Sequence, residues 1–189
     1  MASQALLFLL ETLLSLVAGA FLLRFQMQLM RIPFRNPLGN FLLAVTDFAV
    51  KPLRRVVPGL LGLDWASLLA AWLTELLLVA ATFLVLGHAA AFPGALGGLA
   101  FLALVKLVAL GVNLVIWTTI VSAVFSWVQP YHWLNGLAGA LVRPFLRPLQ
   151  RVIPPIANVD LSPLALILLG QVVLMLPVAW LEQFALRLF

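Results

Sequence analysis

Four long apolar runs constrain this chain more than any other feature. They lie near residues 5–29, 65–87, 99–128 and 161–181, and each reaches the roughly 20 predominantly apolar residues a helix needs to cross a bilayer. The chain is 65% hydrophobic and 9% charged, against roughly 45–50% apolar and about 25% charged in soluble domains. A globule of 189 residues has room for a good core, but not for this much apolar surface. The expected class is an all-α integral membrane protein with four transmembrane helices.

The first run also passes near a signal-peptide pattern, since Ala18–Ala20 read "AGA". Its n-region has no basic residue and Glu11 interrupts the apolar stretch, so the run reads as a retained helix. With no Cys there is no disulfide, no thiolate metal site and no haem attachment motif. A sequence pI of 11.2 could suggest nucleic acid, but scattered basic residues in so apolar a chain point to membrane topology instead. No nucleic acid contact is expected.

Lys and Arg are distributed unevenly between the connections. Arg31, Arg35, Lys51, Arg54 and Arg55 fall in the first, Arg143, Arg147 and Arg151 in the third, and none in the second, "HAAAFPGALGG" from His88 to Gly98. Loops rich in Lys and Arg stay on the cytoplasmic side. The expectation is a multi-pass protein of a bacterial inner membrane, with both basic loops cytoplasmic and both termini outside.

The two basic loops repeat each other. "KPLRRVVP" at Lys51–Pro58 returns as "RPLQRVIP" at Arg147–Pro154, an offset of 96 that also places Asp64 on Asp160. The chain therefore divides into 1–95 and 96–189, each unit a helix, a basic loop and a helix. With two crossings per unit the copies keep the same orientation, unlike the inverted repeats of many transporters.

Within each loop the spacing predicts an amphipathic helix, near residues 38–51 and 133–147. Phe41, Leu42, Val45, Phe48 and Ala49 share one face, and Asn40, Ala44, Asp47 and Lys51 the other. In the second copy Leu134, Leu137, Ala138, Leu141 and Phe145 oppose Asn135, Gly139, Arg143 and Arg147. Such helices lie in the membrane interface with basic residues at the headgroups, or pack on the bundle, or both. Pro52 and Pro58, and Pro148 and Pro154, are expected to break the helix and stiffen the turn. Asp64 and Asp160 sit where an N-cap belongs, and Pro163 falls in the first turn that follows. Lys51, Arg54, Arg55, Arg147 and Arg151 are the candidates for holding a lipid headgroup or a partner protein.

Two copies of P-x-x-R-x-x-P followed by Asp, the second completed as "RPLQRVIPPIANVDLSP" from Arg147 to Pro163, resemble the signature of the YggT family of small multi-pass membrane proteins of bacteria and plastids. The first copy departs from it, with "DWAS" at Asp64–Ser67 in place of "DLSP". The resemblance spans both repeats. It implies an α-helical membrane protein without known enzymatic activity. It also implies links to osmotic stress and ion homeostasis, to division-related gene clusters and, in plastids, to cytochrome maturation and nucleoid distribution.

Four ionisable residues fall inside the apolar runs: Glu11, Arg24, Glu75 and Lys106. Each is costly in lipid and so a functional candidate. Their depths, counted along the helices, predict two ion pairs, Glu11 with Lys106 and Arg24 with Glu75. No P-loop, GxGxxG, HExxH or nucleophile elbow is present. His88 and His132 fall on opposite sides of the membrane in this topology and so cannot share a metal or haem; His132 reads as an interfacial anchor with Tyr131 and Trp133. No enzyme and no cofactor is expected. Two functions remain. One is a membrane scaffold or assembly factor that engages membrane lipids, a membrane-protein partner or a second copy. The other is an oligomeric ion-conducting or transport element.

Overall fold

The computed structural model describes residues 2–59, 62–87, 92–153 and 160–188. Its elements are α1 (Ala2–Leu29), α2 (Pro37–Val56), α3 (Trp65–Val85), α4 (Phe92–Val128), α5 (Trp133–Val152), α6 (Ser162–Val173) and α7 (Ala179–Leu186), with a π-helical turn at Leu174–Val178 joining the last two. Four helical segments, Ser3–Leu29, Trp65–Val85, Leu96–Val128 and Ser162–Leu186, are long and apolar enough to cross a membrane. Lipid offers no hydrogen bonds, so an apolar chain that satisfies its backbone within each helix is the arrangement a bilayer accepts.

The internal repeat is visible in the helix boundaries. Pro37 and Trp133 open α2 and α5, and Val56 and Val152 close them, each pair 96 positions apart. Their N-caps, Asn36 and His132, keep the same offset. The Asn36 side chain accepts from Gly39 N–H at 2.7 Å, and His132 Nδ1 accepts from Leu134 N–H at 3.2 Å. His132, expected as an interfacial anchor, is thus a helix cap, and this chemistry is shared by residue types no motif would equate.

In packing, α1 runs along α3, α3 against α4, and α4 against α6 and α7, while each amphipathic helix rests on the two spans of its own copy. Ala66, Ala70 and Ala71 on α3 are buried against Phe21 and Leu22 of α1 and Val50 of α2. Small residues let membrane helices approach closely, where van der Waals contact replaces the missing hydrophobic drive. Met27, Leu42 and Leu141 form a second cluster that draws α1, α2 and α5 together. The amphipathic faces are used twice. Gly39, Leu42, Thr46 and Val50 are buried on the bundle, whereas Phe41 and Phe48 on the flank remain largely exposed, in position to meet acyl chains.

Three boundaries differ from those the sequence suggests. Pro52 and Pro148 lie inside their helices, which continue to Val56 and Val152. Both prolines are exposed, so the carbonyl four residues back that each leaves without a donor faces outward, and Leu53 holds α2 onto the bundle beyond the ring. Pro58 lies past the helix end, and Pro154, like His88, is outside the described residues. Next, α4 begins at Phe92, absorbing glycines that read as hairpin. Its 37 residues extend for about 55 Å at 1.5 Å each, well beyond a hydrocarbon core of about 30 Å. Finally, the last helix runs to Leu186 rather than ending at 181. Pro177 sits within its π turn, where the wider turn accommodates a residue that cannot donate.

Candidate functional site

The densest polar site forms where α1, α2 and α3 meet. Arg24 is carried into the bundle near the end of α1 and is only 3% exposed. Its Nη1 donates to Thr46 Oγ1 at 2.6 Å and to Asp47 Oδ1 at 2.8 Å, both on α2. Its Nε lies 3.4 Å from Asp64 Oδ2 at the start of α3, close enough for an ion pair but without a hydrogen bond. Arg54 grips the same carboxylate in a fork, with Nε on Oδ1 at 3.1 Å and Nη2 on Oδ2, and Ser67 Oγ adds a donor at 2.7 Å. Lys51 Nζ closes the chain on Asp47 Oδ2 at 2.9 Å.

The sequence produces this cluster through two spacings. On α2, Asp47, Lys51 and Arg54 recur every three or four residues and so share a face. A left-handed turn then lets α2 fold back over α1. Arg31 takes φ 55°, with Arg31 N–H donating to Gln28 and Ile32 N–H to Met27 at 2.9 and 2.8 Å. That is the double bond pattern of a Schellman cap, with arginine in the place glycine usually fills. Gly39 completes the reversal, since a Cβ there would stand 2.5 Å from the carbonyl oxygen of Phe34.

Electrostatics favour the ionised carboxylates at this joint. For Asp64, burial is the largest single influence and raises the pKa, yet the hydrogen bonds from Arg54 and Ser67, with the guanidinium charges, outweigh it and hold the group below its ordinary value. Asp47 is lowered chiefly by its hydrogen bonds to Lys51 and Arg24. These are charge-assisted contacts, about twice as strong as neutral ones. That strength explains why the Asp64 side chain makes no N-cap bond, as its position suggested it would: two guanidinium groups outcompete backbone amides for it.

The second copy keeps the geometry and sheds the charge. Gln150, 96 positions after Arg54, donates to Asp160 Oδ2 at 2.8 Å, and Ser162 N–H donates to Oδ1 at 2.8 Å. Asp160 is lowered as well, its bonds from Ser162 and Gln150 overcoming the opposing effect of burial. Pro163 sits in the first turn of α6. Ile120 and Arg143 stand at the positions of Arg24 and Asp47, so no buried cluster can form.

The arginine repeated in both motif copies is not the one that braces the turn. Arg55 and Arg151 are exposed and make no ion pair with any described residue; the same holds for Arg143 and Arg147. The bracing contact comes from the preceding position, Arg54 in one copy and Gln150 in the other. Thr46 and Ser67 were not singled out from the sequence, and no linear motif marks them, because they matter only once three helices converge.

The remaining membrane charges meet in the half of the bundle remote from α2 and α5. Glu11, Glu75, Lys106 and Glu182 all line a cavity of about 750 Å³. Both expected pairs are replaced. Arg24 is taken by Asp47 and Asp64 rather than Glu75, and Lys106 Nζ binds Glu182 Oε1 at 3.0 Å rather than Glu11. Glu182 lay just beyond the predicted fourth span. The π turn adds residues to one turn and so rotates the helix beyond it by about 100° per extra residue, which sets the face that α7 presents.

Fold and joint together define a four-span α-helical membrane protein built from two parallel repeats, each with an amphipathic helix folded onto its own pair of spans. The chain belongs to the CCB3/YggT family, whose profile matches residues 3–85 and again 101–181. It is 34% identical over 171 residues to the uncharacterized protein YggT of Escherichia coli K12, covering 90% of this chain and 87% of that one. An uncharacterized protein of Pseudomonas aeruginosa is 32% identical over 164 residues, 86% of this chain and 82% of its own. No solved structure matches the chain.

Proposed function

We propose that the protein is a non-enzymatic membrane scaffold whose two amphipathic helices capture anionic lipid headgroups on the cytoplasmic face of a bacterial inner membrane. The observation that carries this reading is the set of exposed arginines that make no ion pair among the described residues, Arg55, Arg143, Arg147 and Arg151, on helices whose flanks also expose Phe41, Phe48 and Phe145. Cations beside apolar side chains suit the boundary between headgroups and acyl chains. In the first copy the acidic residues have already claimed Arg24, Lys51 and Arg54, leaving the outer arginines to external anions. An acidic membrane partner, including a second copy, would be held by the same charges. The excess of Lys and Arg in these two loops supports the cytoplasmic assignment.

Each basic residue near an anionic surface contributes about 1 kcal/mol. Replacing Arg55, Arg147 and Arg151 together with Gln should therefore weaken retention of phosphatidylglycerol or cardiolipin about 100-fold, read by native mass spectrometry of the purified protein. Equal retention of zwitterionic and anionic lipid by the unaltered chain would overturn the proposal. An oligomeric transport element is the second reading, favoured by the charged cavity between α1, α3, α4 and α7; sustained potassium or proton flux from purified protein in liposomes would establish it in place of the scaffold.

A further inference from the structure

The cavity remote from the basic helices contains a carboxylate that the protein leaves unmatched. Glu75 is 4% exposed and faces the cavity, yet among the described residues it accepts no hydrogen bond and makes no ion pair. Lys106, the only cation among the described residues that line the space, attracts Glu75 from beyond ion-pair distance and is already bonded to Glu182. With Glu11 also on the wall, three acidic side chains face one basic one, a net charge of −2 when all are ionised. A buried carboxylate without a donor is expensive in an apolar medium. It calls for a proton or for a cation from outside the chain.

The shape of the site limits which cation fits. No group of three acidic or histidine side chains among the described residues could hold a metal ion, and a hard cation such as Ca2+ takes about six to eight oxygen ligands. The walls between the carboxylates are instead mostly apolar, with Leu78, Leu102, Leu110 and Leu174 facing the space and Ser15, Thr82 and Asn113 as its neutral polar groups. Its volume of about 750 Å³ falls within the roughly 300–1,000 Å³ of small-molecule sites, which are mostly apolar with a few placed polar groups. We propose that this cavity binds a lipophilic organic cation, with Glu75 as its counter-charge. The apolar substituents would rest on the leucines while the delocalised charge lies near the carboxylate, so that neither is left unsatisfied. This site stands apart from lipid capture by α2 and α5, because none of the residues lining it lies on either of those helices.

The test uses the full chain in zwitterionic nanodiscs and tetraphenylphosphonium as the probe, measured by equilibrium dialysis against empty discs. One saturable site per chain is expected. Glu75→Gln, which keeps the shape and removes the charge, should weaken it at least tenfold. Lys106→Gln should tighten it several-fold, a direction that loss of folding could not mimic. Tetraphenylborate, of similar size and opposite charge, should show no saturable binding. Absence of saturable binding by the unaltered chain, an unchanged affinity in both variants, or equal binding of the borate would each overturn the proposal.

Discussion

Asp64→Asn tests the central joint most directly. The substitution keeps the size of the side chain and one oxygen acceptor, but removes the negative charge that Arg24 and Arg54 share. The Asp64 and Arg24 side chains are 1% and 3% exposed, so the change leaves a guanidinium short of a counter-charge in the protein interior. Removing one partner of a buried pair costs about 3–5 kcal/mol. Arg24 retains Asp47 at 2.8 Å, which places the expected loss near the lower end, about 3 kcal/mol. Arg54 adds little, because its side chain is 45% exposed and can turn toward water. The same substitution at Asp160 is the internal control. That residue is exposed and bonded to a neutral Gln150 and one backbone amide, so its loss should amount to about 1 kcal/mol or less. Unfolding of both variants in detergent micelles, followed by circular dichroism across a denaturant series, measures the difference. Equal losses at the two positions, or less than about 1 kcal/mol at Asp64, would refute the view that burial turns one copy of the joint into a charged lock.

Three further outcomes follow from the packing and the charges. Gly39→Ala brings a methyl group to 2.5 Å from the Phe34 carbonyl oxygen, which backbone cannot evade; a loss of about 1–3 kcal/mol is expected in the same unfolding assay. Gly170→Ala meets the Cγ1 and Cδ1 atoms of the Ile116 side chain, both at 2.8 Å, and no backbone; because a side chain can shift where a carbonyl cannot, the loss should be the smaller of the two, about 1–2 kcal/mol. Acid should act on the joint through Asp47 and Asp64, whose pKa values are both lowered on folding. Groups depressed in this way contribute stability above their unfolded value, about 3.9, and lose it as pH falls through the folded value. The unfolding midpoint should therefore be insensitive to these two groups between pH 8 and pH 5 and should fall below about pH 4. A decline that Asp47→Asn and Asp64→Asn together leave unaltered in steepness would assign the acid response to other residues.

Much of this architecture could be read directly along the chain, because it rests on local properties. Four spans follow from runs of apolar residues, and two amphipathic helices from a spacing of three and four. The 96-residue offset follows from a phrase repeated with its prolines, arginine and aspartate in register. Each signal is carried by neighbouring residues and survives whatever the rest of the chain does. Even so, the prolines at 52 and 148 misled, since the rule for helix interiors weakens where the freed carbonyl faces outward.

Only the tertiary structure decided which charges meet. Depth along a helix placed Arg24 beside Glu75, yet depth is one coordinate of three. Once α2 reverses onto α1 at Arg31 and Gly39, Thr46, Asp47 and Asp64 surround Arg24, and Glu75 is left to face a cavity. The partner of Lys106 depends likewise on α7, whose orientation follows a π turn that no apolar periodicity announces. Apolar burial has no direction and can be read from composition, whereas an ion pair requires two particular atoms within a few ångströms, and that only the folded chain provides.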